Sequence, residues 1–137
     1  LLESRKGLFK ETLFKKYSKR IDTQQYKLSE ILKKFKKQKK IVIGFGAPAK
    51  LTTFSYKFKI DNKIIPFIAD DNDLKQGRYS PGKNIKIISY EKLKKTKFNV
   101  IIIFAWNFAE SIIKRIKRDF ENKKIIVPFP KVRIFKN

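Results

Sequence analysis

The sequence contains no cysteine and no histidine. Without cysteine the chain cannot form a disulfide, supply thiolate ligands to zinc or attack a substrate with a thiolate nucleophile. Without histidine it lacks the side chain that most often serves as a general base near neutral pH. No pair of carboxylates, metal-ligand cluster or nucleophile–base pair stands out among the other residues. The sequence therefore predicts no catalytic residue and no metal site.

Methionine is also absent, and the chain starts with two leucines. We therefore expect the chain to be part of a longer polypeptide. Its first residues carry charge and form no apolar segment, so no signal peptide is visible. The longest apolar run, at residues 100–106, is too short to span a bilayer. We expect a cytoplasmic protein with no membrane partner.

Acidic residues are few, since 12 Asp and Glu stand against 35 Lys and Arg and the net charge is +23. Such an excess is typical of nucleic-acid-binding proteins. However, 29 of the basic residues are lysines, which are scattered over every segment, and isoleucine is also abundant. Both are encoded by AT-rich codons, so the base composition of the genome accounts for part of the charge. A solvated basic surface is the first interpretation, and a nucleic-acid-binding domain is the alternative.

The most informative stretch is residues 41–50, where a β-branched run ends in a turn of small residues. Gly44, Gly46 and Ala49 have the spacing G-x-G-x-x-[GA], and Pro48 suits the first turn of a helix. The pattern predicts a strand that passes into a helix N-terminus, where free N–H groups and the helix dipole favour phosphate. The alternative is a tight turn that binds nothing.

Residues 1–38 are predicted to form a long N-terminal helix, because apolar residues recur there at intervals of three and four. Asp22 and Thr23 leave open a break into two helices. We interpret residues 1–38 as a helical segment leading from a missing upstream domain. Residues 39–137 are interpreted as a separate domain.

Short apolar runs alternate with amphipathic segments through the rest of the chain. Strands are predicted at residues 40–45, 64–70, 84–89, 99–105 and 124–127, and helices at 48–58, 90–95 and 107–120, with an edge pairing left open at 132–135. In the last helix, Phe108, Ile112, Ile113 and Ile116 are predicted to face inward. This alternation predicts an α/β, Rossmann-like fold, with a mainly parallel sheet of about five strands and helices on both faces.

Three segments are predicted to meet at the carboxyl ends of the strands, where open α/β sheets bind ligands. They are the turn at 44–50, the loop at 70–82 and the dipeptide at 106–107. The candidate binding residues are Gly44, Gly46, Ala47, Lys50, Asp70, Lys75, Gln76, Tyr79, Trp106 and Asn107.

Each candidate has a structural alternative. Lys50 is either a point charge for pyrophosphate or one more solvated lysine. Trp106 is either a stacking surface for a base or sugar or a core filler, and Asn107 either contacts a ligand or caps a helix. Asp70 lies where dinucleotide-binding folds keep a ribose-binding acid, which leaves an NAD-type domain open. Its alternative role is to cap the loop. The polar residues at 75–79 either bind phosphate and sugar hydroxyls or point to water.

Four motifs in this order resemble one family. They are Gly44-Phe45-Gly46-Ala47-Pro48-Ala49-Lys50 with Asp70 and Asn72, then Lys75-Gln76-Gly77-Arg78-Tyr79-Ser80-Pro81-Gly82, then Trp106-Asn107-Phe108-Ala109-Glu110, and finally Pro128 and Pro130. Together they resemble the C-terminal domain of the S-adenosylmethionine (SAM)-dependent sugar C-methyltransferases over residues 28–130.

In that family one chain combines a small zinc-binding N-terminal domain, a central SAM-binding domain and a Rossmann-like C-terminal domain. The resemblance implies an enzyme that methylates a carbon of a nucleotide-linked keto-deoxysugar, usually a dTDP-sugar. A base removes a proton beside the ketone, and the enolate attacks the SAM methyl group. The base and the SAM site belong to the central domain. The resemblance therefore implies that this part alone binds no cofactor, is inactive, and helps to hold the nucleotide-sugar at the interdomain cleft.

Overall fold

The computed structural model describes residues 2–136, with side chains described for residue 7 and for residues 10–136. The apolar runs form six strands, which are β1 (Val42–Phe45), β2 (Phe67–Ala69), β3 (Lys86–Ile88), β4 (Val100–Ile103), β5 (Lys124–Val127) and β6 (Arg133–Lys136). The helices are α1 (Leu2–Lys37), α2 (Lys50–Lys57), α3 (Tyr90–Lys94) and α4 (Ala109–Asp119), and a short 3₁₀ helix (Trp106–Phe108) precedes α4.

The six strands form one sheet in the order β3-β2-β1-β4-β5-β6. The first five in that order are parallel to one another, and β6 pairs antiparallel with β5 at the edge. All residues of β1 and β4 are buried, as expected for central parallel strands with both faces covered. The α/β prediction is confirmed, and the edge pairing left open near the C-terminus is the sixth strand.

Helices cover both faces of the sheet. On one face, the second half of α1 packs with α2 around a core that includes Leu28, Phe54 and Phe104. On the other face, α3 and α4 pack on a core that includes Leu93 and Ile116. The crossover from β1 therefore runs over one face, and the crossover from β4 runs over the other.

Helix α1 continues without a break through Asp22 and Thr23. The Thr23 hydroxyl donates a hydrogen bond to the carbonyl of Lys19 at 2.9 Å, so its side chain pairs within the helix. Leu28 and Phe35 are buried against the sheet, whereas the apolar residues of the preceding turns are largely exposed. The predicted apolar positions Leu8 and Phe9 lie outside the residues whose side chains the structure describes.

Most elements are shorter than predicted, β5 has the predicted bounds, and one predicted side-chain direction is wrong. Phe108 was predicted to face inward with Ile112, but its side chain is 68% exposed. It lies in the 3₁₀ helix, and α4 begins only at Ala109, so Phe108 does not share the 3.6-residue period of the helix. Ala109 is the buried residue in its place. Among residues 2–136, no helix is both long and apolar enough to cross a bilayer.

Candidate functional site

A crevice opens at the carboxyl ends of β1 and β4, which are neighbours in the sheet. It forms because the chain leaves β1 toward one face of the sheet and leaves β4 toward the other face. Open α/β sheets bind ligands in crevices of this kind. The cavity measures about 380 Å³. Its lining consists of Phe45, Gly46, Asp70, Asp71, Ala105, Phe108, Ser111, Ile112 and Arg115.

Two glycines let β1 and its turn pass close to the segment that follows β4. A Cβ on Gly44 would lie 2.5 Å from Cε2 of Phe104, because that ring fills the space over the strand. Gly46 has a φ of +87°, and a Cβ there would lie 2.7 Å from the Cβ of Ala105. Packing and backbone conformation thus account for both glycines. A contact from Gly44 or Gly46 to a ligand stays a prediction.

The Asp70 carboxylate joins the end of β2 to the turn after β1. Its Oδ2 accepts a hydrogen bond from the N–H of Ala47 at 2.7 Å, and its Oδ1 accepts one from the N–H of Asn72 at 2.8 Å. Only 12% of the Asp70 side chain is exposed. This is the loop-capping role that the sequence left open. A phosphate could reach the Ala47 N–H only by displacing this carboxylate.

Two residues of the following loop complete the same junction. Lys75 Nζ donates to the carbonyl of Ala47 at 2.7 Å and lies 3.9 Å from Asp70 Oδ2. Gln76 Nε2 donates to the carbonyl of Asp70 at 3.0 Å. The loop and the turn therefore meet, as predicted, and the contacts between them join protein groups to one another.

Lys50 and Trp106 form a pair, and Trp106 directly follows Ala105 of the crevice lining. Trp106 is half-buried, with its ring centroid 5.3 Å from that of Phe54 and 5.0 Å from that of Phe129. The Nζ of Lys50, an exposed residue, lies 5.2 Å from the centroid of the Trp106 ring. Such a cation–π contact contributes about 0.5–1 kcal/mol at an exposed site. In the described part of the chain Lys50 has no carboxylate partner, so its charge is available to an anion.

The structure does not bring all the candidate binding residues to the crevice. Asn107 is exposed in the 3₁₀ helix, next to Trp106. Tyr79 is 58% exposed, and its backbone forms an antiparallel bridge with Lys86 of β3. Because β2 separates β3 from β1, Tyr79 lies at the outer edge of the sheet and away from the crevice.

Sequence reasoning missed Arg115, which lines the crevice from α4. Its guanidinium forms two hydrogen bonds with the Asp71 carboxylate, at 2.7 and 3.1 Å, and its central carbon lies 3.6 Å from the centroid of the Tyr90 ring. The hydrogen bond to Asp71 raises the pKa of Arg115. Arginine suits such a bidentate, stacked position better than lysine. The sequence feature that could have indicated Arg115 is the rarity of arginine, because only six of the 35 basic residues are arginines.

These features match a known family. The family model described as the C-methyltransferase C-terminal domain matches residues 2–130 of this chain. The chain belongs to this family. It is also similar to C-methyltransferase NovU from Streptomyces niveus, with 29% identity over 133 residues. The similar region covers 96% of this chain and 32% of that protein, so the chain spans only part of the length of its relative. The resemblance carried by the four motifs is confirmed.

In this C-methyltransferase C-terminal domain, the carboxylates that line the crevice already have partners. Asp70 accepts hydrogen bonds from two backbone N–H groups, and Asp71 is paired with Arg115. Both carboxylates therefore already hold groups of the protein in place.

A second cluster fixes α4 against α3 behind the crevice. The Tyr90 hydroxyl donates to Asp119 Oδ2 at 2.7 Å, and Arg118 Nε donates to Asp119 Oδ1 at 2.8 Å. The hydrogen bonds from Arg118 and then Tyr90 hold the pKa of Asp119 well below its usual range. Burial and the bond to Asp119 raise the pKa of Tyr90. This cluster supports the Tyr90 ring on which Arg115 stacks.

Proposed function

We propose that this domain is the substrate-binding part of a SAM-dependent enzyme that methylates a carbon of a nucleotide-linked keto-deoxysugar, with a dTDP-sugar as the expected substrate. The nucleotide-sugar is held at a cleft between this domain and the rest of the enzyme. The catalytic base, the SAM site and a zinc-binding domain belong to that other part of the polypeptide.

The observation that carries the proposal most directly is the Lys50–Trp106 pair. Trp106 directly follows Ala105, which lines the crevice. A pyrophosphate needs a cation, and a base or sugar ring packs well on an aromatic face. Here the Lys50 ammonium lies over the Trp106 ring and has no carboxylate partner among the described residues. The crevice, which Ala105 and Phe108 line on either side of Trp106 in the sequence, has a volume of about 380 Å³ and is large enough for part of a sugar nucleotide.

The turn after β1 supports a role without a bound SAM or NAD. Such cofactors use free N–H groups at this turn and an acid that is free to bind ribose. In this chain the N–H of Ala47 and both oxygens of Asp70 are already hydrogen-bonded to protein groups. The Ala47 N–H is therefore not available to the phosphate of a dinucleotide, which argues against the NAD-type alternative.

Titration of the isotope-labelled chain with dTDP, monitored by NMR, tests the binding site. Amides at residues 44–50, 75–76 and 106–107 are expected to shift. Binding is expected at millimolar affinity or weaker, about 4 kcal/mol, because the domain supplies only one wall of the cleft. Added salt should weaken it if phosphate contacts dominate.

Matched variants make this test specific. Lys50→Gln should weaken dTDP binding severalfold, whereas Lys117→Gln removes the same charge from an exposed position late in α4 and should leave binding unchanged. In the whole enzyme, Lys50→Gln should raise KM for the nucleotide-sugar without changing KM for SAM. Equal effects of the two variants, or shifts confined to other segments, would show that the proposed site is wrong.

A separate experiment tests whether the catalytic base and the SAM site lie outside this domain. Incubated with SAM and a dTDP-keto-sugar, the 137-residue chain should yield no methylated product, whereas the whole enzyme should. Methylated product from the purified chain would mean that the base and the SAM site lie within it, which would refute the assignment of both to another part of the polypeptide.

A further inference from the structure

A second concave surface, called here the basic groove, lies at the amino ends of the strands, whereas the crevice lies at their carboxyl ends. The basic groove runs between the second half of α1 and the C-terminal end of α2, at the amino ends of β1 and β2, and its volume is about 670 Å³. Its apolar surface comes from the exposed ring of Tyr26 and from Ile64, above the buried side chains of Leu32, Val42 and Phe58. Cavities of this size with apolar walls and a few charged groups are typical of small-molecule sites.

Lysines dominate the charge of the basic groove. Six of them line it, which are Lys33, Lys36, Lys39, Lys40, Lys59 and Lys63. The one carboxylate in the lining, Asp22, already accepts from Lys57 at 2.7 Å. Within the described residues, Lys33 is the only one of the six with an ion pair, to Glu30 at 3.2 Å. A concave surface of one sign focuses the field and attracts ions of the opposite sign.

Two of these lysines occupy unusual backbone positions. Lys39 has a φ of 56° and Lys59 a φ of 54°, in the left-handed region. They follow the ends of α1 and α2, where the next residue closes the helix by donating to a carbonyl five residues back, as Lys40 does to Phe35 at 2.9 Å. Glycine is the usual residue at this position. Lysine has a conformational cost there, and in both cases it adds a charge to the basic groove.

Helix dipoles explain only part of this cluster. Lysines in or just after the last turn of a helix are stabilised by the negative end of its dipole, which covers Lys36, Lys39 and Lys59. Lys40 lies just before β1, and Lys63 lies between α2 and β2. Cations from two helix ends and two connecting segments thus meet over one apolar surface.

We propose that the basic groove binds an organic phosphate that carries at least two phosphoryl groups and an apolar or planar portion. The lysine ammonium groups bind the phosphoryl oxygens as point charges. The apolar or planar portion packs on the exposed ring of Tyr26 and on Ile64. This site is separate from the crevice and does not depend on the proposed sugar-nucleotide function.

Calorimetric titration with ATP and with inorganic tripolyphosphate tests the proposal. ATP should bind more tightly than tripolyphosphate, because only ATP can use the apolar surface, and added salt should weaken both. NMR shifts produced by ATP should fall at residues 32–40 and 58–64. Equal affinity for the two probes would refute the role of the apolar surface. Shifts confined to 44–50 and 106–107 would assign ATP to the crevice and refute the basic groove.

Two triple variants with the same change in charge complete the test. Lys36→Gln/Lys59→Gln/Lys63→Gln should weaken ATP binding about tenfold or more, since three phosphate contacts are lost. The control set on α3 and the loop after it should have less than about a twofold effect, because it changes only the net charge. That set is Lys92→Gln/Lys95→Gln/Lys97→Gln, and all three lysines are exposed. Equal weakening by both sets, or no ATP binding at millimolar concentration, would overturn the proposal.

Discussion

Replacing Asp70 by alanine should destabilise the chain measurably, because this carboxylate joins three segments. The substitution leaves the N–H of Ala47 without its acceptor at 2.7 Å, in a partly buried position. It also removes the bond to the N–H of Asn72 and the ion pair with Lys75 at 3.9 Å. An unsatisfied buried donor costs about 1–3 kcal/mol. The Asn72 N–H is exposed and can bond to water, and a partly exposed ion pair adds about 0–1 kcal/mol.

The expected loss is therefore about 2–3 kcal/mol of unfolding free energy. For a chain of this length that corresponds to a fall in Tm of about 7–10 °C. Urea unfolding can be followed by the fluorescence of Trp106, the single tryptophan of the chain, and checked by far-UV circular dichroism. Both probes should give the same midpoint if unfolding is two-state.

Asp73→Ala is the matched control, since it removes an exposed carboxylate from the same loop. It should change the unfolding free energy by less than about 0.5 kcal/mol. If Asp70→Ala is as stable as this control, the carboxylate does not hold the turn, and the reasoning from its hydrogen bonds is wrong. The ligand-binding alternative for Asp70 would then be favoured over the loop-capping role.

Two further predictions concern the core and the acid response. Gly44→Ala should cost about 1–3 kcal/mol of unfolding free energy, because the new Cβ overlaps the buried Phe104 ring. Unchanged stability in urea would mean that the ring moves aside. The second prediction concerns Asp119, whose pKa is lowered on folding, so its contribution is present above its usual pKa of 3.8 and is lost as the pH falls below that value. The difference in stability between wild type and Asp119→Asn should therefore be full at about pH 6 and shrink toward about pH 2. A difference that is constant over this range would contradict the lowered pKa.

Most of the fold could be predicted from local patterns. The buried β-branched runs, the small-residue turn after Phe45 and the amphipathic period of α4 each depend on residues close in sequence. The boundaries were less accurate, because hydrogen-bond pairing between strands decides where each strand ends. Phe108 shows the limit, since its direction depended on a short 3₁₀ helix that the apolar period does not report.

The candidate site could be predicted in part. The sequence predicted that the turn, the loop and Trp106 lie at the same end of the sheet, because the carboxyl ends of parallel strands lie side by side. It could not show that the Asp70 carboxylate is already bonded to Ala47, or that Tyr79 lies at the β3 edge. The role of each candidate in binding nucleotide-sugar remains a prediction.

The sequence by itself determined the fold class, the order of the elements and the family, because these follow from the local period of apolar residues and from short motifs in a defined order. Only the tertiary structure decided which distant residues meet. It paired Arg115 with Asp71 over the Tyr90 ring, and it joined the ends of α1 and α2 into the basic groove. The physical reason is that contacts between side chains tens of residues apart depend on strand order and helix packing. Neither can be predicted from a single short stretch of the sequence.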